Sequence, residues 1–438
     1  MSKSEWDVKS ADFEPREFLK QLFHIAVKAS VPAAVMGEYM PLPPKGKTII
    51  IGAGKASAQM TKAFEEICTN DPNWQSPLSG LVVTQYGSAE QCKHIEIVEA
   101  SHPVPDEKGF AAAKRILQLV EGAQEDDLVV ALISGGGSSL LPFPGPGMDL
   151  IDKQHLNEQL LASGAPISKM NAIRKMFSML KGGRLGVAAY PARLLSLVIS
   201  DVPGDDPAEV ASGPTIASVS DAQEAKNIIA DYKIELGEAA RKSLKRGDNP
   251  PPKPDDERFV YATHRVIASA NLSLEAASAK AQAAGCEVII LGDAIEGEAS
   301  EIGREHGKMI VEKALVKDRK KPLLILSGGE TSVTISKSEV PGKGGRNSEY
   351  LLALALEISG LKNVLCLSAD TDGRDGSENN AGAFCDGSTH QRMAAGNVEI
   401  EEYLRAHNSW SAFDAVDDLF VTGPTGTNVN DFRAALVL

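Results

Sequence analysis

The chain has 438 residues, 43% hydrophobic and 24% charged, which is ordinary for a soluble globular protein and long enough for two domains or three small ones. With 59 acidic against 45 basic residues the net charge is −14, a field that disfavours nucleic acid and anionic membrane surfaces as partners and leaves any anionic ligand dependent on local cations. Five scattered cysteines (Cys68, Cys92, Cys286, Cys366, Cys385), odd in number and never in a C-x-x-C pair, argue against a disulfide framework and a thiolate zinc site. The Met1 to Asp7 start lacks the apolar core of a signal peptide, and no run approaches the roughly 20 apolar residues of a membrane span. A cytoplasmic protein is expected.

Taken in order, Phe13 to Ser30 has the spacing of an amphipathic helix, and Lys47 to Ile51 that of a buried strand. Gly52-Ala53-Gly54-Lys55-Ala56-Ser57 follows and opens a helix to about Cys68, the arrangement of an anion site at a helix start. It is not a P-loop, because Ile49 stands where the first glycine belongs. It also completes the dinucleotide fingerprint poorly, since Ser57 is a loose third small residue and no acid follows at a strand end about 20 residues on. A tight turn with a solvated lysine remains the plain alternative; otherwise Lys55 is aimed at a ligand. Leu81 to Thr84, Ile95 to Val98 and Leu128 to Ile133 read as further strands, with a helix from Asp106 to about Val120, so a parallel sheet covered on both faces is expected. His102, in Ser101-His102-Pro103, is either a loop residue or a ligand for substrate. Ser134-Gly135-Gly136-Gly137-Ser138-Ser139 after the most apolar strand suits a backbone nest for phosphate. A helix is expected over Leu156 to Met179, followed by Lys181-Gly182-Gly183-Arg184 as a source of cations. Leu194 to Ile199 is a strand ending in Ser200-Asp201-Val202-Pro203-Gly204-Asp205-Asp206, and carboxylates at such a strand end can hold a divalent metal or accept a proton.

The prolines of Arg246 to Glu257 mark the clearest linker, giving domains at 1–248 and 261–438 joined by 249–260. Beyond it, a helix over Leu272 to Ala284, a strand over Cys286 to Leu291 and a helix over Gly297 to Leu315 precede the strand Leu323 to Leu326. Ser327 to Glu349 then carries Gly328-Gly329-Glu330-Thr331, which echoes the nest at Ser134, and Arg346 just before a helix over Tyr350 to Leu356; Lys337 to Lys343 between them reads as a surface loop. Val364 to Leu367 is a strand ending in Asp370-Thr371-Asp372-Gly373-Arg374-Asp375-Gly376. Its acids are not a calcium loop, because Ala381 stands at the position of the required glutamate. Thr422 to Asp431 is a polar turn that either touches substrate or forms a hairpin.

Two glycine nests, cations and carboxylates at strand ends suit phosphoryl transfer, which depends on positioning and cationic stabilisation. No G-x-S-x-G elbow or H-E-x-x-H is present. The series G-A-G-K-A-S, S-H-P-V-P-D, S-G-G-G-S-S, K-G-G-R-L, S-D-V-P-G-D, S-G-P-T, S-G-G-E-T, G-G-R-N-S-E, D-T-D-G-R-D-G and T-G-P-T-G-T-N-V-N-D occurs in that order over nearly the whole chain. It resembles the class II glycerate 2-kinase family, whose C-terminal half is called the MOFRL domain. The resemblance implies a two-domain α/β fold: a Rossmann-like N-terminal domain with a mostly parallel sheet, a smaller α/β MOFRL domain, and an active site in the cleft between them. It further implies ATP- and Mg²⁺-dependent phosphorylation of the 2-hydroxyl of D-glycerate, with Lys55 and Arg346 as catalytic cations and Asp201 as their acidic partner. On this reading Gly135, Gly136, Gly137, Ser138, Ser139, Gly328, Gly329, Glu330 and Thr331 bind ATP. His102 and Lys181 join Lys55 and Arg346 on the substrate, and Asp201, Asp370 and Asp372 hold the metal. No nucleic-acid or membrane partner is expected, and a monomer or homodimer is. An NAD(P)-dependent hydroxypyruvate reductase is the rival.

Overall fold

Short apolar runs alternate with amphipathic helices along this chain, and in the computed structural model they assemble into two compact units. The structure describes residues 8, 10, 12–247, 249–316, 319–335 and 342–438. One unit spans Pro32–Ile267; the other joins Met1–Val31 to Ala268–Leu438. The chain therefore passes between units at residues 31–32 and again at 267–268, and the division does not follow the expected domains at 1–248 and 261–438. The proline-rich stretch belongs wholly to the first unit and is packed there. Pro251 is buried, Asn249 receives two Arg184 donors and itself donates to the Ser178 carbonyl, and Ser218 N–H donates to the Pro252 carbonyl.

Among the described residues the Pro32–Ile267 unit holds one six-stranded sheet, made of β1 (Thr48–Ala53), β2 (Leu78–Gln85), β3 (Ile95–Ala100), β4 (Leu128–Ser134), β5 (Arg193–Ile199) and β6 (Ala262–Ala268, whose last residue falls past the division). Its order is β3-β2-β1-β4-β5-β6, with β1 to β5 paired in parallel. Every residue of β1 and β4 is buried, as expected of central parallel strands covered by helices on both faces. This is the doubly wound order of the Rossmann fold, whose ligand crevice opens where the order reverses, between β1 and β4. The helix expected over Leu156 to Met179 is two, Leu150–Ala162 and Ile167–Met176; Gly164 at φ +68° and Pro166 divide them.

The other unit has a mixed sheet in the order β13-β12-β11-β14-β9-β7, where β7 is Glu287–Ile290, β9 Leu323–Ser327, β11 Val364–Asp370, β12 Gly382–Asp386, β13 Leu419–Phe420 and β14 Asp431–Val437. Two short strands, β8 (Gly297–Glu298) and β10 (Thr331–Ser332), pair beside it. Alternation along β9 sorts the two faces. Leu324 and Leu326 pack with the Pro15–Lys28 and Ala270–Ala283 helices, while Leu323 and Ile325 pack with the Ala299–Ala314 and Arg346–Glu357 helices. The N-terminal helix is thus a core element of the unit built mainly from the C-terminal residues. No described helix is long and apolar enough to cross a membrane. Most of the expected Lys337 to Lys343 loop lies outside the described residues.

Candidate active site

At the C-terminal ends of the parallel strands the loops are held together by their glycines. Lys55 N–H donates to the Gly135 carbonyl (2.9 Å), and Ala56 N–H to Ser134 Oγ (3.0 Å), so the loops after β1 and β4 are tied where the strand order reverses. Gly54, at φ +148°, lies so close that a Cβ would fall 2.0 Å from Ser134 Oγ. Gly136, at φ +80°, is flanked by two of the three expected substrate ligands of this unit: a Cβ there would meet the His102 ring at 3.0 Å and Lys55 Cγ at 3.3 Å. On the neighbouring Gly135, a Cβ would collide with the Asp201 carboxylate, 1.8 Å from Oδ2. Lys55, His102, the Gly135 to Ser139 loop and Asp201, far apart in sequence, are therefore gathered at one edge of one sheet. Burial, reinforced by the nearby Lys55 ammonium, lowers the His102 imidazole to about 4, so the ring is neutral at neutral pH and is a weak base.

Lys181 does not join them. It is 1% exposed and its Nζ donates to the Leu141 carbonyl (2.8 Å). Burial, with Lys153 and Arg174 adding to it, holds the ammonium well below its ordinary pKa. The surrounding cations have the same structural duty: Lys153 Nζ donates to the Phe177 carbonyl and Arg184 to those of Lys175 and Lys181. They satisfy carbonyls at and just beyond the end of the Ile167–Met176 helix, where a dipole favours positive charge.

The second set of expected residues lies in the other unit. Arg346 is the first residue of the Arg346–Glu357 helix, and each of its three side-chain nitrogens donates to a carboxylate. Nε donates to Asp431 Oδ1 (2.8 Å), Nη1 to Glu330 Oε1 (2.7 Å) and Nη2 to Asp370 Oδ2 (2.6 Å). Burial would lower its pKa, but Asp431, Asp370 and Glu330 outweigh it and raise the guanidinium above its usual value. Asp370 is pushed up by burial, against the pull of Arg346 and with Asp372 and Asp431 adding to the rise; Asp372 accepts from Arg374 N–H (2.8 Å). The start of this helix is an oxyanion place, and the protein fills it itself. Asp375 accepts from Asn347 N–H (2.9 Å), Ser348 N–H (2.8 Å) and Ser348 Oγ (2.7 Å). Gly328 and Gly329 form a packed turn, with Gly328 N–H on the Gly292 carbonyl (2.8 Å) and Gly329, at φ +107°, pressed against the Ile295 backbone. Glu330 is exposed and Thr331 buried.

Two residues in this unit had not been singled out. Asp431, the last residue of the Thr422 to Asp431 motif, joins Arg346, Asn347 and Arg433. Arg433, 2% exposed, also donates to the Gly328 carbonyl (2.9 Å) and Thr331 Oγ1 (3.2 Å). Alternation along β14 would have placed Asp431 and Arg433 on one face; the motif itself pointed to Asp431. Among the described residues, no group of three or more His, Cys, Asp or Glu is arranged to hold a metal.

The comparisons with known proteins cover both units. Residues 18–245 match a family model described as Domain of unknown function (DUF4147), and residues 323–431 match the MOFRL family. A D-glycerate 2-kinase of Thermotoga maritima is 36% identical over 97% of this chain and 100% of its own. A crystal structure of glycerate kinase from the same organism superposes with a TM-score of 0.85, at 34% identity over 97% of this chain and 99% of that one. The chain belongs to the glycerate 2-kinase family. An Agrobacterium vitis protein named putative hydroxypyruvate reductase is 46% identical over 97% of this chain and 95% of its own, so the two names occur within one set of related sequences. Membership of the glycerate 2-kinase family makes the chain a kinase, and therefore a phosphotransferase. Within that family frame, Lys55, His102, the glycine loop and Asp201 sit in the DUF4147 part, and Arg346 with its carboxylates in the MOFRL part.

Proposed function

We propose that the protein transfers the γ-phosphoryl group of ATP to the 2-hydroxyl of D-glycerate, giving 2-phosphoglycerate and ADP. The observation that carries this reading is the gathering of Lys55, neutral His102, the Gly135 to Ser139 loop and Asp201 at the reversal of strand order, in a chain matched almost end to end by D-glycerate 2-kinase. The hydroxyl oxygen forms the new bond to phosphorus as the bond to the β-phosphate oxygen breaks, and its proton passes to a carboxylate or to solvent. Lys55 and Arg346 are the cations offsetting charge on the transferring group. A pKa near 4 suits His102 for donating a hydrogen bond to the acid rather than for taking the proton.

Asp201 either accepts that proton or holds Mg²⁺. Magnesium sites commonly use one or two carboxylates and take their other ligands from phosphates and water, so an acid seated on the glycine loop fits one. When bound, the ion would neutralise phosphate charge. Asp370 is spent on Arg346 and leaves the proposed metal set, while Asp372 remains a weaker candidate. ATP contacts are assigned to the glycine backbone of the Gly135 to Gly137 segment; the Gly328 to Thr331 turn, with its amide on Gly292 and its carboxylate on Arg346, shapes the Arg346 site instead.

The reductase reading draws support from the strand order and from the name of the Agrobacterium vitis relatives. Against it, β2 ends in Gln85, where a ribose-binding acid would stand. Purified protein with D-glycerate, ATP and Mg²⁺ is expected to release ADP and a product that phosphorus NMR identifies as the 2-phosphate. Hydroxypyruvate is expected not to oxidise NADH or NADPH. ADP release no faster than in a blank without glycerate, together with nicotinamide turnover, would reverse the assignment.

A further inference from the structure

Two motifs of the sequence, K-G-G-R-L and S-G-P-T, have no ligand in the site described above; they form the backing of its glycine loop. Gly182 N–H donates to the Ser212 carbonyl (3.1 Å) and Gly183 N–H to the Gly213 carbonyl (2.8 Å). Ala211, Ser212 and Gly213 take three successive left-handed conformations, at φ +53°, +60° and +56°. Side chains are unfavourable in that region, and such strain persists where surrounding contacts enforce it, commonly at functional sites. Here it presents the Ser212 hydroxyl to Ser138 Oγ, 2.9 Å away, and to Asn171 Oδ1, also at 2.9 Å.

The direction of these hydrogen bonds follows from the far end of the chain. The Asn171 amide nitrogen faces two acceptors, Glu209 Oε2 (2.9 Å) and the Glu209 carbonyl (3.1 Å), so its oxygen must face Ser212, where Arg174 also donates to it (3.3 Å). The other Glu209 oxygen, Oε1, pairs with Lys175 Nζ at 2.6 Å. A serine hydroxyl has one proton. Ser212 gives its proton to Asn171, and so the proton in the Ser138–Ser212 contact must come from Ser138. Ser139 is spent likewise, its Oγ donating to the Gly136 carbonyl (3.0 Å). Both hydroxyls of the loop therefore offer a ligand only lone pairs.

Phosphate oxygens are acceptors and cannot use a lone pair. A metal ion is disfavoured at the Ser138 hydroxyl by the Lys55 cation, whose Cγ lies near Gly136 and whose charge is felt by His102 on the same glycine. A neutral hydroxyl donor suits the site. We infer that Ser138 is a specificity residue that accepts a hydrogen bond from the hydroxyl of the hydroxy acid that is not phosphorylated, rather than a holder of nucleotide phosphate. This rests on the proposed function and deepens it, and it removes Ser138 from the ATP-binding set expected from the sequence.

The test compares wild type, Ser138→Ala and Ser138→Thr with D-glycerate and with D-lactate, which keeps the 2-hydroxyl and lacks the 3-hydroxyl. D-lactate is measured as an alternative substrate or a competitive inhibitor. Losing one hydrogen bond corresponds to about five- to tenfold. Ser138→Ala is therefore expected to raise KM for D-glycerate by that factor, leave KM for ATP and the Mg²⁺ requirement within twofold, and shrink the preference for D-glycerate over D-lactate equally. Ser138→Thr, which keeps the hydroxyl, is expected to restore the preference. A shift in KM for ATP or in the Mg²⁺ requirement would overturn the inference in favour of a phosphate or metal contact. A fall in kcat with the preference unchanged would overturn it in favour of the reacting 2-hydroxyl, and unchanged constants would leave Ser138 without a ligand. A wild type that forms no ADP from D-glycerate condemns the proposed function itself, and is told apart because the variants are read only against an active wild type.

Discussion

Lys55 and Arg346 are both proposed to stabilise charge, but their surroundings are opposite. Lys55 lies half-buried beside a neutral imidazole and a glycine loop, whereas Arg346 meets a carboxylate at each of its three nitrogens. The carboxylates fix the plane and direction of the guanidinium, so that no rotamer search precedes reaction. Removing such a donor typically costs about 10²–10³ in rate. Lys55→Ala and Arg346→Ala are each expected to lower kcat/KM by ~10²-fold or more in a steady-state assay of ADP release. Arg346→Ala leaves Asp370 and Asp431 buried without their shared cation, so circular dichroism and the unfolding midpoint must be read alongside. Near-wild-type turnover in a folded Arg346→Ala protein would limit Arg346 to a structural role.

At the scale of elements, the glycines keep the loops close enough to work together. Gly135 is the tightest case, because its missing side chain is the space the Asp201 carboxylate occupies. Gly135→Ala is expected to displace that carboxylate and cut kcat at least tenfold, since misplacements of about 1 Å can cost 10²-fold. The KM for D-glycerate is expected to change less; an unaltered kcat would show that Asp201 need not rest there. Much at this scale was legible in the sequence. The strands at Ile49, Val130 and Leu197 declared themselves through apolar runs, and Gly54, Gly136 and Asp201 lay at strand ends where ligands bind. What was not legible depended on who faces whom. Lys181 looked like a ligand because basic residues beside glycines often are, yet its place beneath the Leu141 carbonyl is set by packing between helices. Arg346 read as a catalytic cation, and no local pattern could reveal three carboxylates converging on it from Glu330, Asp370 and Asp431. The amides at its helix start are taken by Asp375, which arrives from another strand end and which no local pattern announces.

For the whole molecule, the proline-rich stretch was a reasonable boundary by composition, since prolines exclude helix and sheet interiors. The division at 31–32 and 267–268 reflects where apolar faces are buried instead. Phe18, Leu19, Leu22 and Phe23 of the first helix are at most 1% exposed, in a cluster with Phe384, Phe420 and Phe432. Phe23 packs edge-on to Phe420 at 5.1 Å and to Phe432 at 5.9 Å, and Arg16 pairs with Asp418 at 2.6 Å. Burying four such side chains contributes ~6–12 kcal/mol, comparable with the total stability of a typical domain. The unit that carries Arg346 should therefore not survive without the first helix, although some 240 residues of sequence separate them. A fragment of residues 32–267 is expected to unfold cooperatively in scanning calorimetry. A fragment of residues 268–438 is expected to show no cooperative transition, or to aggregate, and co-expression with residues 1–31 to restore the transition. Cooperative unfolding of 268–438 by itself, with a midpoint unmoved by added 1–31, would return the boundary to the proline-rich stretch and make the first helix an accessory.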